Sequence, residues 1–241
     1  MTTDKDSNDS STPAKPHRAV RSFVLRAGRA TVAQQRALAE LWPVYGSEFT
    51  GQPIDLQQVF GRAAPCMIEI GFGAGEALLE YARANPGIDC LGIEVHRPGV
   101  GHLLLGAQAA SLQNLRVICH DAVEVLQQLP AASISFAHIF FPDPWHKKRH
   151  HKRRLIQPPF VALLARVLQP GGILRLATDW EHYAQQMREV LDASTAFRNL
   201  AAEKGFVERP DIRPLTRFER RGQRLGHGVW DMEYQRVTQA T

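Results

Sequence analysis

The chain has 241 residues, 44% of them hydrophobic, and a formal net charge of +5 at pH 7. That is enough chain for one large domain with a full apolar core, and the mild excess of cations points to an acidic partner without naming one. Its three cysteines, Cys66, Cys90 and Cys119, are far apart and odd in number; this excludes a disulfide framework and a zinc site, reads as small buried hydrophobes, and fits a reducing cytoplasm.

No apolar run approaches the ~18–20 residues of a membrane span. The nearest, residues 160–168, is far too short. Residues 1–17 are polar, lack the apolar stretch of a signal peptide, and read as a disordered tail; residues 18–241 read as a single domain. Arg18, Arg21, Arg26 and Arg29 are interleaved with Val20, Phe23, Val24 and Leu25. This stretch is either a basic arm that orders against the domain or its ligand, or a solvated lead-in.

Residues 31–41 have helical spacing, and a connector containing Pro and Gly covers 42–65. Then an alternation begins. Residues 66–70 form a short apolar run closed by Gly71, which predicts a buried strand. Residues 76–84 carry apolar positions at helical spacing and stop before Asn85-Pro86-Gly87. Strands follow at 89–95, 115–120, 134–141 and 173–177, with helices at 100–112, 123–129, 155–168 and 181–191. The third of these helices is broken by Pro170-Gly171-Gly172, residues 196–228 are irregular and Arg-rich, and 229–237 read as a late strand. Strands alternating with helices imply an α/β fold: a mostly parallel sheet with helices on both faces.

Gly71, Gly73 and Gly75 follow the first strand and open a helix. Glycines there let the backbone come close to a ligand. The dinucleotide pattern G-x-G-x-x-G is not met, because the third glycine comes one residue early. Glu76 would also be unwelcome beside a pyrophosphate. A nucleoside ligand without a diphosphate fits better. Glu94 ends the second strand, where a carboxylate can accept from both ribose hydroxyls; such charge-assisted bonds are worth roughly 1.5–3 kcal/mol each. Asp121 ends the third strand and can accept from an adenine amino group. Glu69 lies within the first strand, where a buried carboxylate is costly without a donor or cation. The amino end of a methionine moiety, or a loop amide, would satisfy it. Each acid alone also reads as an ordinary strand residue. Together they fit S-adenosylmethionine better than NAD. The series Glu-x-Gly-x-Gly-x-Gly, Glu, Asp and Pro-Asp-Pro-Trp at successive strand ends, with the Pro170-Gly171-Gly172 turn, resembles the class I methyltransferases.

The fourth strand ends in Phe140-Phe141-Pro142-Asp143-Pro144-Trp145, and a block of cations follows at once. Asp143 and Trp145 can set a carboxylate and a ring at the mouth of a pocket, and the cations can grip a polyanion. The plainer alternatives are a turn residue for Asp143 and a solvated loop for the block. His150 and His151 are adjacent, and adjacent side chains rarely share a metal, so no metal is expected.

This segment resembles the bacterial tRNA (guanine-N7-)-methyltransferases, in Pro142-Asp143-Pro144-Trp145, Lys147, Arg149-His150 and Lys152-Arg153-Arg154. So do Thr216-Arg217-Phe218-Glu219 and Gly226-His227-Gly228-Val229-Trp230-Asp231. The likeness spans about residues 18–237, with small departures at Lys148 and His151. It implies a Rossmann-like class I methyltransferase fold with a late antiparallel strand. It implies methylation of guanine N7 in the tRNA variable loop, at position 46, with S-adenosyl-L-methionine as cofactor, in the cytoplasm. It also implies roles: Asp143 as catalytic residue; Glu69, Gly71, Gly73, Gly75, Glu94, Asp121 and Asp143 at the cofactor; Lys147, Asp179, Thr216, Arg217, Phe218 and Glu219 at the substrate; and Arg149, His150, His151, Lys152, Arg153 and Arg154 at the RNA. No membrane or metal is implied, and a monomer is compatible with this reading. N7 already carries an in-plane lone pair, so the reaction needs alignment more than a base. Asp143, Asp179 and Glu219 suit the N1–H and N2–H edge of guanine, Lys147 suits O6, and Trp145 can wall the base. An amino-group methyltransferase acting on N6 of adenine or N2 of guanine is the nearest alternative. A non-catalytic RNA-binding module on the same fold and a dehydrogenase are further ones.

Overall fold

The protein is described by a computed structural model that covers residues 22–23, 29–202, 205–211, 213, 219 and 228–238. The tail, Arg18, Arg21, Arg26 and the stretch Thr216, Arg217 and Phe218 lie outside the described residues.

Three short helices lead in: α1 (Val32–Glu40), α2 (Trp42–Tyr45) and α3 (Leu56–Phe60). The α1 start is fixed by a capping box, in which Thr31 and Gln34 each satisfy the other's backbone N–H. The alternation then runs β1 (Cys66–Ile70), α4 (Glu76–Ala84), β2 (Asp89–Ile93), α5 (Arg97–Ala109), β3 (Leu115–Ile118), α6 (Ala122–Gln128) and β4 (Ile134–Phe140). It continues through α7 (Pro158–Val167), β5 (Leu168–Thr178), α8 (Glu181–Asp192), β6 (Phe197–Asn199) and β7 (Trp230–Arg236). The strands form one sheet in the order β3-β2-β1-β4-β5-β7-β6. Pairing is parallel from β3 through β5, and β7 enters antiparallel between β5 and β6. The expected mostly parallel sheet with a late antiparallel strand is what is found.

Apolar side chains fill both faces. Along β1, Cys66, Ile68 and Ile70 join the core beneath α6, α7 and α8, whereas Met67 joins the core beneath α4 and α5. Cys66 and Cys90 are buried and Cys119 is half-buried, all as free thiols.

Several boundaries differ from expectation for identifiable reasons. Helix α5 begins at Arg97 rather than 100, because Pro98 is accommodated in the first turn. Helix α7 begins at Pro158 rather than 155, for the same reason. Strand β5 begins at Leu168 and continues through Pro170-Gly171-Gly172, with a shift in its register against β4. Those residues were expected to break a helix, not to lie in a strand. The connector holds α2 and α3, and the irregular 196–228 stretch holds β6.

The register sets Glu69, His138, Arg175 and Glu233 side by side across β1, β4, β5 and β7. Arg175 Nε donates to Glu233 at 2.7 Å, and its Nη1 lies 3.5 Å from His138 Nε2. Burial, then Arg175, pushes His138 down to about 3, so the imidazole is neutral.

A second polar knot ties the chain after β6 to the sheet. Arg213 is fully buried. Its Nε and Nη2 reach the two oxygens of Asp231 at 2.7 Å each, and Nη1 and Nη2 reach Glu219 at 2.5 and 3.0 Å. Its Cζ lies 5.4 Å from the Phe141 ring centroid. Removing one member of such a group leaves buried charge uncompensated. Arg213→Met is expected to lower the unfolding free energy by about 3–5 kcal/mol in denaturant titrations; a loss within experimental error would mean that the cluster is not stabilising.

Candidate active site

The site lies at the carboxyl ends of the central parallel strands, where open α/β sheets bind ligands. Between β1 and α4 the chain turns through Gly71, Gly73 and Gly75, all with positive φ. A Cβ on Gly73 would meet nothing within 4 Å, so the loop edge is an open backbone cradle. A Cβ on Gly99 would stand 2.1 Å from the Gly73 carbonyl oxygen. The glycine in α5 therefore lets the loop lie directly on that helix.

Glu94 follows β2 and is buried. One of its oxygens accepts from Gly73 N–H at 2.8 Å, and the other accepts from Val95 and His96 N–H at 2.7 and 2.9 Å. Three backbone donors hold the carboxyl group in place and leave lone pairs over, which suits ribose hydroxyls. Asp121 caps α6 through Val123 N–H at 2.9 Å. That bond occupies Oδ1 and leaves its second oxygen for a ligand. Gly71, Glu94, His120, Asp121 and Asp143 line one cleft, together with Ser22, Phe23 and Phe141.

Glu69 lies deeper, 3% exposed, and its Oε2 has no hydrogen-bond partner among the described residues. Burial, then the Glu94 charge, pushes its carboxyl up to about 8. The loop amide expected from the sequence does not meet this oxygen among the described residues. An ammonium group brought to it would be met by an acid ready to ionise.

The turn after β4 is the most constrained backbone of the site. Phe141 and Trp145 both adopt left-handed conformations, with φ of 52° and 48°, on either side of Pro142-Asp143-Pro144. Bulky residues rarely adopt this region, and such outliers cluster at functional sites. Asp143 is exposed. Trp145 Nε1 donates to the Ser22 carbonyl at 3.0 Å, and Arg153 stacks on the indole with Cζ 4.0 Å from its centroid. Arg153 Nη2 also donates to the Phe23 carbonyl at 3.2 Å. Ser22 and Phe23 are thus held at the cleft they help to line, while Arg18, Arg21 and Arg26 of the expected basic arm lie outside the described residues.

Lys148–Arg153 form a 3-10 helix that presents Lys148, Arg149 and Lys152 to solvent. Desolvation and then the cations Arg149, Arg153, Lys147 and Lys152 push His150 below its ordinary value. Desolvation and then Arg154 do the same to His151. Both shifts disfavour the protonated ring, so the charge of the block rests chiefly on Lys and Arg.

Two expected contacts require correction. Arg154 is not at the surface with its neighbours; it is 2% exposed and turned inward. Glu219 is also buried, and both its oxygens accept from Arg213, so it is not presented to a base edge in this conformation. Lys147 is exposed and Asp179 half-buried at the end of β5; neither lines the cleft. Ser22, Phe23, His120 and Arg213 were missed as site residues. None carries a local signal. Ser22 and Phe23 meet Trp145 and Arg153 from far along the chain, Arg213 meets Asp231, and His120 stacks on Phe49.

The strand order, the glycine turn and the acids on β1 to β4 define a class I S-adenosylmethionine-dependent methyltransferase. A family model described as a putative methyltransferase matches residues 63–232. The tRNA (guanine-N(7)-)-methyltransferase of Yersinia enterocolitica is 54% identical over 220 residues, covering 91% of this chain and 92% of that protein. The enzyme of the same name from Pseudomonas putida is 55% identical over 225 residues, covering 93% and 94%. Among solved structures, the 16S rRNA methyltransferase KamB superposes with a TM-score of 0.58 at 16% identity, over 78% of this chain and 95% of that one. The chain belongs to the tRNA (guanine-N7-)-methyltransferase family.

The Glu69 carboxyl has a measurable consequence. Between its ordinary value of 4.5 and about 8, the folded protein holds a proton that the unfolded chain has released. Its contribution to stability therefore falls as pH rises through that window. His138 acts oppositely, adding stability as pH rises from about 3 to 6.5. Glu69→Gln is expected to remove the fall above pH 6.5 in denaturant midpoints measured across pH. The same slope in parent and variant would show that Glu69 ionises normally.

Proposed function

We propose that this protein transfers the methyl group of S-adenosylmethionine to N7 of a guanine in the tRNA variable loop, at position 46, giving 7-methylguanosine. One observation carries the reading: the cleft lined by Gly71, Glu94, Asp121 and Asp143 opens beside the cationic 3-10 turn. Membership of the family supports the same chemistry. Residues 18–241 act as a single domain in a monomer. Unmodified tRNA in the cytoplasm is the natural setting.

The residues fit the cofactor. Glu94 would hold the ribose hydroxyls, Asp121 the adenine amino group, and Glu69 the methionine ammonium, against the open cradle at Gly71 and Gly73. When bound, S-adenosylmethionine supplies an electrophilic methyl carbon on a sulfonium. Guanine N7 offers a lone pair in the ring plane. No proton leaves N7, so no strong general base is needed. Holding the reacting atoms in line supplies a large part of the rate. The base gains positive charge as the new bond forms. The carboxylates of Asp143 and Asp179 offset that charge and accept from the N1–H and N2–H edge. Lys147 lies beside O6, and Thr216, Arg217 and Phe218 complete the base contact. Glu219 serves through its bonds to Arg213 and not on the base edge. Arg149 and Lys152, with Lys148, meet phosphates.

The deciding experiment is methyl transfer from labelled S-adenosylmethionine to unmodified tRNA, followed by nucleoside analysis. Label is expected in 7-methylguanosine and is lost when the variable-loop guanine is replaced. Label in N6-methyladenosine or N2-methylguanosine would instead mark an amino-group enzyme. Asp143→Ala is expected to lower kcat/KM by about 10²–10³-fold with an unchanged circular dichroism spectrum; full activity would remove Asp143 from the mechanism. Arg149→Ala with Lys152→Ala is expected to reduce the slope of log affinity against log salt by about one for each phosphate no longer neutralised. An unaltered slope would place the phosphates elsewhere.

A further inference from the structure

We infer that Arg154 is a positioning residue that fixes the Pro142-Asp143-Pro144 turn against α8, and does not bind RNA phosphate. The inference rests on the role of Asp143 given above. Arg154 closes the cationic turn, its N–H donating to the His151 carbonyl at 3.0 Å, but its side chain runs inward. Nε donates to the Pro144 carbonyl at 2.8 Å. Nη1 lies 3.1 Å from His182 Nδ1 and donates to Gln186 Oε1. The guanidinium plane is covered by Tyr183, with Cζ 4.7 Å from the ring centroid. The Tyr183 hydroxyl in turn accepts from Ile156 N–H at 3.1 Å.

None of these partners is a carboxylate. Among the described residues no carboxylate forms an ion pair with the guanidinium, and Nη2 has no hydrogen-bond partner. A buried cation held this way is costly, so stability alone does not account for it. What the arrangement provides is geometry. Pro144 directly follows Asp143, and α8 directly follows Asp179 and Trp180. One planar group therefore joins the end of β4 to the element that follows β5, and so sets the spacing between the two acids. The turn it holds carries two left-handed residues, and such backbone persists only when its surroundings restrain it. Lysine cannot reproduce this, because its single ammonium lacks the guanidinium fork.

The test compares Arg154→Lys, Arg154→Gln and Gln186→Leu in the full chain, with unmodified tRNA transcript. Arg154→Lys is expected to lower kcat at saturating tRNA by about tenfold or more, a misplacement effect. The tRNA Kd and its salt slope should stay within about twofold of the parent, since the phosphate-binding cations are untouched. Lysine should perform no better than glutamine. Gln186→Leu should lower kcat in the same direction, and adding it to Arg154→Lys should give less than the product of the two losses. Hydrogen exchange across residues 141–146 should accelerate in all three variants. That readout needs no substrate, so it separates failure of this inference from failure of the methyl-transfer reading. Unchanged kcat and exchange in Arg154→Lys would overturn the inference, as would a raised tRNA Kd with a reduced salt slope at unchanged kcat. If the Arg154 variants do not fold, Gln186→Leu decides: parental kcat and exchange in that variant would overturn it.

Discussion

The carboxylate of Glu94 is the interaction on which the rest of the site depends. It gathers three backbone N–H groups, one from the glycine loop after β1 and two from the lead into α5. Those segments are separate in sequence and could each have drifted. A single buried carboxyl group makes them one surface. Because its donors are already in place, a ligand hydroxyl needs only to join an existing network, without reorganising the protein. The close approach of Gly99 to the Gly73 carbonyl serves the same end from beneath.

How far the sequence carries follows from how local each signal is. Cys66–Ile70 and Glu76–Ala84 were legible to the residue, because a buried strand closed by glycine and an apolar face at helical spacing are complete within a few residues. The strand-end positions of Glu94, Asp121 and Asp143 were legible because each closes a short apolar run, and the three line one cleft. Helix α3 was not, since five residues hold too little of a helical period to register; its only cue is the Asp55 cap. Strand β6, at three residues, is recognised only through its pairing with β7. The directions of Arg154 and Glu219 were also hidden. A sequence records that a residue is charged, but whether it meets solvent or a partner such as Arg213 is set by the tertiary fold.

The cationic turn shows how misleading a tally of charges is. Read linearly, it offers an uninterrupted cationic face. In the structure, Arg154 is internal, Arg153 lies on Trp145 and reaches Phe23, and both histidines are shifted away from the charged form. The surface left for a polyanion is narrower and more sharply placed, at Lys148, Arg149 and Lys152. On the proposed reading, the same short stretch attends to both the substrate backbone and the posture of the neighbouring turn. The two tasks meet within a few residues of Asp143.

Phe141 and Trp145 leave one further consequence. Their left-handed backbone is not a conformation that the segment would choose in isolation, so the turn has no intrinsic shape to fall back on. Its form is borrowed from the indole bond to Ser22, the ring beneath Arg153 and the carbonyl grip at Pro144. Transplanting these residues to another scaffold would carry the letters and leave the architecture behind. Warming would act in the same direction, loosening the borrowed supports one at a time, so that competence is lost gradually while the domain as a whole still stands.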